Sequence, residues 1–90
     1  MSDIRYGLGK AAEEHLVSGL PLTRLEAMIL FGVQNLSDIV VKMRRRGWKI
    51  KSERVPLAKA LVRLNKHAQV IPPRELPIRE IQVTEYQLLT

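Results

Sequence analysis

A helix-capping motif followed by a glycine makes residues 23–32 the most constrained segment of this chain. Thr23 and Glu26 stand three residues apart, so that each side chain can bond to the backbone N–H of the other at the start of a helix. Gly32 stands where a helix needs a residue of left-handed conformation in order to end. The pattern predicts a short helix over 24–31 with a very tight turn after it.

The segment over 35–46 has the pattern of an amphipathic helix. On a helical wheel with about 100° per residue, its apolar and polar side chains separate onto opposite sides. The predicted buried face comprises Leu36, Ile39, Val40 and Met43. The predicted outward face comprises Gln34, Asp38, Val41 and Arg45, with Ser37 and Lys42 beside it. A short helix, a tight turn with glycine and a longer helix with a polar face are typical of a helix-turn-helix.

The remaining segments predict one more helix on each side and two strands. Helical spacing over 3–18 predicts a first helix, and Pro56 suits the start of a fourth. Alternating side chains over 48–55 and 78–89 predict strands that pair as a two-stranded ribbon, with a helical insertion over 56–77. Trp48 is expected in the core between helix and ribbon. We therefore expect a mainly helical α+β fold, and 90 residues fit a single domain over 1–90.

The positive charge of the chain is concentrated in one segment. The net charge is +6, yet residues 42–66 alone contain ten Lys or Arg and one acidic residue, a net charge of +9. A basic segment of this kind is the footprint expected of a protein that binds a polyanion. The alternative is a solvated protein surface with no such ligand.

Three stretches resemble small winged helix-turn-helix proteins of bacteriophages and prophages. They are residues 22–27 (Leu-Thr-Arg-Leu-Glu-Ala), 31–33 (Phe-Gly-Val) and 44–50 (Arg-Arg-Arg-Gly-Trp-Lys-Ile), and residues 84–88 resemble the last wing strand of that group. The chain departs from the group by Gln34, where a capping Thr or Ser is usual, and by the insertion over 56–77. The resemblance implies a winged helix-turn-helix that binds double-stranded DNA, as a transcriptional regulator or an excisionase-like architectural factor.

The outward face of helix 35–46 carries groups that suit the edges of bases. Lys42 and Arg45 are donors for guanine, and Gln34 and Asn35 match adenine. The candidates for reading bases are Gln34, Asn35, Ser37, Asp38, Val41, Lys42 and Arg45. The candidates for binding phosphates are Thr23, Arg24, Arg44, Arg46, Lys49, Lys51, Arg54, Lys59, Arg63 and Lys66. The alternative is an ordinary solvated face, on which the arginines only complement the helix dipole.

No feature of the sequence predicts catalysis. The chain has no cysteine, which excludes disulfides, thiolate metal sites and a catalytic thiol. His15 and His67 lack metal-ligand spacing, so we expect no metal, no cofactor and no enzymatic activity.

We expect a cytoplasmic protein without membrane contact that forms a homodimer or a cooperative array on DNA. The alternative is a winged helix that binds and modulates a host protein.

Overall fold

The computed structural model describes the backbone of residues 2–89 and the side chains of residues 9–89. In chain order, the elements are α1 (Ser2–Val17), β1 (Leu22–Thr23), α2 (Arg24–Phe31), α3 (Leu36–Arg45), β2 (Ile50–Pro56), α4 (Leu57–Leu64) and β3 (Gln82–Leu88). This order confirms the predicted α+β fold, which is mainly helical, with a helix in the insertion between the two wing strands.

Local capping sets both ends of α2, as predicted. Thr23 Oγ1 accepts a hydrogen bond of 3.3 Å from the backbone N–H of Glu26, and Glu26 Oε1 accepts one of 3.1 Å from the N–H of Thr23. Gly32 ends the helix with φ of 65°, in the left-handed region where glycine carries no Cβ penalty. The short connection from Gly32 to Asn35 then leads directly into α3.

Asn35 caps α3. Its Oδ1 accepts hydrogen bonds from the backbone N–H of Asp38 (3.4 Å) and from Ser37 Oγ (3.0 Å). The expectation that Gln34 takes the capping position is therefore wrong by one residue, since asparagine is among the best capping residues. Leu36, Val40 and Met43 are buried and Ile39 is half-buried, so the predicted inward face of α3 is confirmed.

The sheet has three antiparallel strands in the order β1-β3-β2. β2 and β3 form the predicted ribbon, and the two-residue β1 adds a third strand by pairing Leu22 with Tyr86 and Thr23 with Glu85. β3 begins only at Gln82, because the backbone just before it bonds to the start of α4 through Ile78 O and Ile81 O.

The core lies between the first three helices and the sheet. Its buried residues are Ala12, Leu16, Leu22, Ala27, Leu36, Val40, Met43 and Ile50. Trp48 is not among them, and its side chain is 39 % exposed, so the prediction of a core tryptophan is wrong. The residue lies in the turn between α3 and β2, where its backbone N–H bonds to Met43 O and more than a third of its surface is in solvent.

The helix of the insertion folds back onto the rest of the domain. Ala60, Leu61 and Leu64 of α4 are buried, whereas Val62 is exposed. Pro56 precedes α4 and is the last residue of β2. The helix packs against α2 and β2, and its charged side chains reach partners in α2 and β3.

Candidate nucleic-acid interface

The outward face of α3 presents the residues that the sequence singled out for reading bases. All seven are solvent-exposed: Gln34, Asn35, Ser37, Asp38, Val41, Lys42 and Arg45. Helical geometry brings those from Ser37 to Arg45 to one side of α3, and Gln34 and Asn35 stand directly before its first turn. The result is an exposed face with donors, acceptors and one aliphatic side chain.

Two residues of this face form an ion pair with each other. Lys42 Nζ lies 3.1 Å from Asp38 Oδ2, one helical turn away. An exposed pair of this kind contributes at most about 1 kcal/mol, so both side chains are available to exchange it for a stronger ligand. Arg45 and Gln34 have no side-chain hydrogen bond or ion pair to any described side chain of residues 9–89.

Two of the three consecutive arginines fasten α3 to its neighbours. The guanidinium of Arg44 donates to Ile50 O through Nε (3.1 Å) and Nη2 (2.6 Å), which closes the turn between α3 and β2. Arg46 forms an ion pair with Glu13 of α1. Arg45 has no hydrogen bond or ion pair to any described side chain of residues 9–89. The two predicted phosphate contacts, Arg44 and Arg46, therefore also hold the fold, whereas Arg45 is uncommitted.

The wing strand β2 supplies a second basic surface. Lys49 just before β2 is exposed, as are Lys51 and Arg54 within it, and β2 is an outer strand of the sheet. Arg54 has only a contact of 3.4 Å to Gln82 O. Arg24 is exposed at the start of α2, and Lys66 is exposed just beyond α4. These cations retain most of their freedom to meet an anionic ligand.

Three predicted phosphate contacts are instead part of a cluster around two buried carboxylates. Thr23 is fully buried, and its side chain donates to Glu26 Oε1 at 2.9 Å. Arg63, with 21 % of its side chain exposed, reaches Glu26 Oε1 at 2.6 Å and Glu85 Oε2 at 2.7 Å. The second contact is an ion pair outside hydrogen-bond geometry. Lys59 Nζ lies 3.7 Å from Glu85 Oε1.

The physical reason for this cluster is the cost of burying charge. Glu26 and Glu85 are 3 % and 5 % exposed, and an uncompensated buried carboxylate is strongly unfavourable. Sequence reasoning missed this arrangement. The available signal was the spacing of four between Lys59 and Arg63, which places both cations near one side of α4. Two of the ten cations in residues 42–66 are thereby matched internally and add little to the external field.

Two concave surfaces adjoin α3. The first, here called the α1–α3 cleft, has a volume of about 680 Å³ and is lined by Gly9, Lys10, Glu13, Ile39, Lys42, Arg45 and Arg46. The second, here called the wing groove, has a volume of about 780 Å³ and lies between α2, the start of α3, both wing strands, α4 and residues 70–76. The first is strongly basic, whereas the second has many apolar side chains.

The described residues contain no group of three side chains able to hold a metal ion. His15 has a structural environment, since its Nε2 lies 3.1 Å from Pro21 O and its ring packs edge-on against Phe31. None of the helices in the described part of the chain is both long and apolar enough to cross a membrane.

Comparison with known proteins gives one match. The family described as "Winged helix-turn-helix domain" matches residues 12–67, more than half of the chain. The matched region runs from within α1 through the helix-turn-helix and β2 to the turn after α4. No curated protein and no solved structure shows a significant match.

Proposed function

Because the chain belongs to the winged helix-turn-helix family, a DNA-binding fold, we propose that it binds double-stranded DNA with α3 in the major groove. The observation that carries this proposal is the outward face of α3, where every base-reading candidate is exposed. A major groove about 12 Å wide accepts one α-helix. The exposed basic side chains of the wing, Lys49, Lys51 and Arg54, are then expected to contact the sugar-phosphate backbone beside that groove.

In this arrangement the two classes of contact come from different elements. Arg45, Lys42 and Gln34 supply donors for base edges, and Val41 supplies an aliphatic surface for a thymine methyl group. The proposed phosphate contacts are Arg24, Arg44, Arg46, Lys49, Lys51, Arg54 and Lys66. Thr23 and Arg63 are left out, because Thr23 is buried and both side chains bond to Glu26, so neither reaches a phosphate without rearrangement of the fold. Lys59 is also left out, because it forms an ion pair with Glu85.

The biological role we propose is that of a phage-type transcriptional regulator or excisionase-like architectural factor, in the cytoplasm of a bacterial host. A recognition helix of ten residues offers limited contact for specific binding. A homodimer on a two-part site or a cooperative array along DNA overcomes this limit. Binding, and not catalysis, is the proposed activity.

The test compares variants of the α3 face on a duplex selected for binding by the wild-type protein. Arg45→Ala and Gln34→Ala are each expected to weaken binding by about 1–3 kcal/mol, or roughly 5- to 150-fold, and to relax base preference. Arg79→Ala is the matched control, since Arg79 is exposed and lies outside the proposed interface. Equal affinities for all three variants would reject α3 as the recognition helix.

A second candidate function, binding to a host protein, is favoured by the wing groove. Met28, Ile71 and Leu76 line this groove and are exposed, which is unusual for a surface that meets only DNA. Arg24 and Arg54 also line it, and no acidic residue does, so the matching partner surface is acidic. Under this alternative, Met28→Ser abolishes capture of the partner, and Arg45→Ala, on the outward face of α3 but outside the groove, leaves that capture unchanged.

A further inference from the structure

Gly9 is a glycine that the fold itself does not require. It lies within α1 (Ser2–Val17), where glycine weakens a helix relative to alanine. A Cβ at this position would meet no atom of any packed element within 4 Å, and the backbone there does not have a positive φ. Neither close packing nor backbone conformation within the described chain therefore accounts for the missing side chain.

Gly9 borders the more basic of the two concave surfaces beside α3. The α1–α3 cleft that it lines also contains Lys10 and three cations of the α3 region, which are Lys42, Arg45 and Arg46. Its one carboxylate, Glu13, is already paired with Arg46. The lining thus has a net charge of +3, and Lys10 and Arg45 have no ion-pair partner among the described side chains.

We propose that the α1–α3 cleft binds a phosphodiester segment of the DNA strand that borders the major groove. Lys10 supplies a phosphate contact from α1, and the bare backbone at Gly9 lets the strand approach that helix closely. This inference rests on the proposed function, because a helix in the major groove has a sugar-phosphate strand along its flank. The flank of α3 that faces α1 contains Lys42 and Arg45, which then lie at the border between base and phosphate contacts.

The proposed site adds Lys10 to the DNA interface, and the clustering of charge in the sequence does not reveal this residue. Lys10 lies 32 residues before Lys42 and outside the basic segment over 42–66. It joins the other cations only because α1 packs beside α3. The interface would thereby extend beyond the helix-turn-helix and wing to the first helix.

The test uses the full chain and a labelled duplex, with affinity measured at several salt concentrations. Lys10→Gln is expected to reduce the slope of log K against log salt by about 0.9, the value for one phosphate contact. Affinity at 0.1 M salt is expected to fall roughly fivefold or more. Arg79→Gln removes the same charge from an exposed site outside the interface and is expected to leave the slope unchanged.

A second pair of variants separates binding from folding. Gly9→Leu is expected to raise the thermal midpoint by about 3–5 °C through helix propensity, and yet to weaken DNA binding at least fivefold by filling the cleft. Gly9→Ala is expected to raise the midpoint similarly, with a smaller loss of binding. A structural role for Gly9 predicts the opposite, with stability and affinity falling together.

The outcomes distinguish this inference from the function on which it rests. If the wild-type protein does not bind duplex DNA, both are overturned. If the wild-type protein binds and Lys10→Gln retains the full salt slope, the cleft is not a phosphate site and only this inference fails. If Gly9→Leu is destabilised, or binds as tightly as the wild type, the close approach at Gly9 is likewise refuted.

Discussion

Arg63 of α4 donates a hydrogen bond of 2.6 Å to Glu26 Oε1 in the first turn of α2. The same carboxylate oxygen accepts from the N–H and the hydroxyl group of Thr23, so one atom joins the cap of α2 to the insertion in the wing. Arg63 also pairs with Glu85 of β3. This cluster fastens α4 to the helix-turn-helix and fixes how the insertion lies beside it.

Replacement of Arg63 is expected to destabilise the protein more than replacement of any exposed cation. Arg63→Ala leaves Glu26 without its charged partner and Glu85 with only the distant Lys59, and breaking a buried ion pair costs about 3–5 kcal/mol. Partial exposure of Arg63 places the expected loss near the lower end of that range. The free energy of unfolding is measured by urea titration.

Lys66→Ala is the control for this prediction, since Lys66 is exposed and just beyond the same helix. It is expected to change stability by less than about 0.5 kcal/mol. If the two variants unfold at the same urea concentration, the buried cluster does not stabilise the fold as argued.

Replacement by alanine is expected to change the stability of the protein in opposite directions at Gly32 and at Gly9. Gly32 has φ of 65°, so Gly32→Ala forces a side chain into the left-handed region at a cost of about 1–2 kcal/mol. Gly9 lies within α1 with open space at its Cβ position, so Gly9→Ala is expected to stabilise the protein by up to about 1 kcal/mol. Urea titration of both variants checks the signs, and a destabilised Gly9→Ala together with an unaffected Gly32→Ala would contradict the assignment.

Removal of the carboxylate at Asp38 is expected to strengthen non-specific DNA binding. Asp38 pairs with Lys42 on the outward face of α3, and it repels phosphates. Asp38→Ala frees Lys42, so we expect affinity for mixed-sequence duplex to rise about two- to fivefold at low salt, with reduced discrimination between sites. Fluorescence anisotropy measures both quantities.

Glu75→Ala removes the same charge from an exposed position outside the proposed interface, and it serves as the control. Its affinity is expected to differ from that of the wild type by less than twofold. Weaker binding by Asp38→Ala, or an equal gain from both variants, would argue against DNA contact at the outward face of α3.

The elements predicted most closely from the sequence are those set by local chemistry. The capping box and Gly32 depend on residues within one or two helical turns, and they gave the bounds of α2 without error. The amphipathic pattern likewise identified the buried face of α3. Both signals depend on residues within one segment, so they do not require knowledge of what that segment packs against.

The ribbon of β2 and β3 was predicted, but three other features that depend on distant partners were not. β1 has only two residues, too few for an alternating pattern, and it exists because β3 pairs with it from more than sixty residues away. The inward position of Arg63 depends on Glu26 and Glu85, which belong to two other elements. Trp48 is exposed in the turn between α3 and β2, whereas Met43 before that turn and Ile50 after it are buried.

The central claim, that this chain binds double-stranded DNA through its basic surface, is tested most directly by anisotropy of a labelled mixed-sequence duplex at several salt concentrations. We predict measurable binding at low salt, with log K falling linearly against log salt. The slope is expected to be steeper than about −3, since each phosphate contact contributes about −0.9. No binding at low salt, or an affinity independent of salt, would contradict the account.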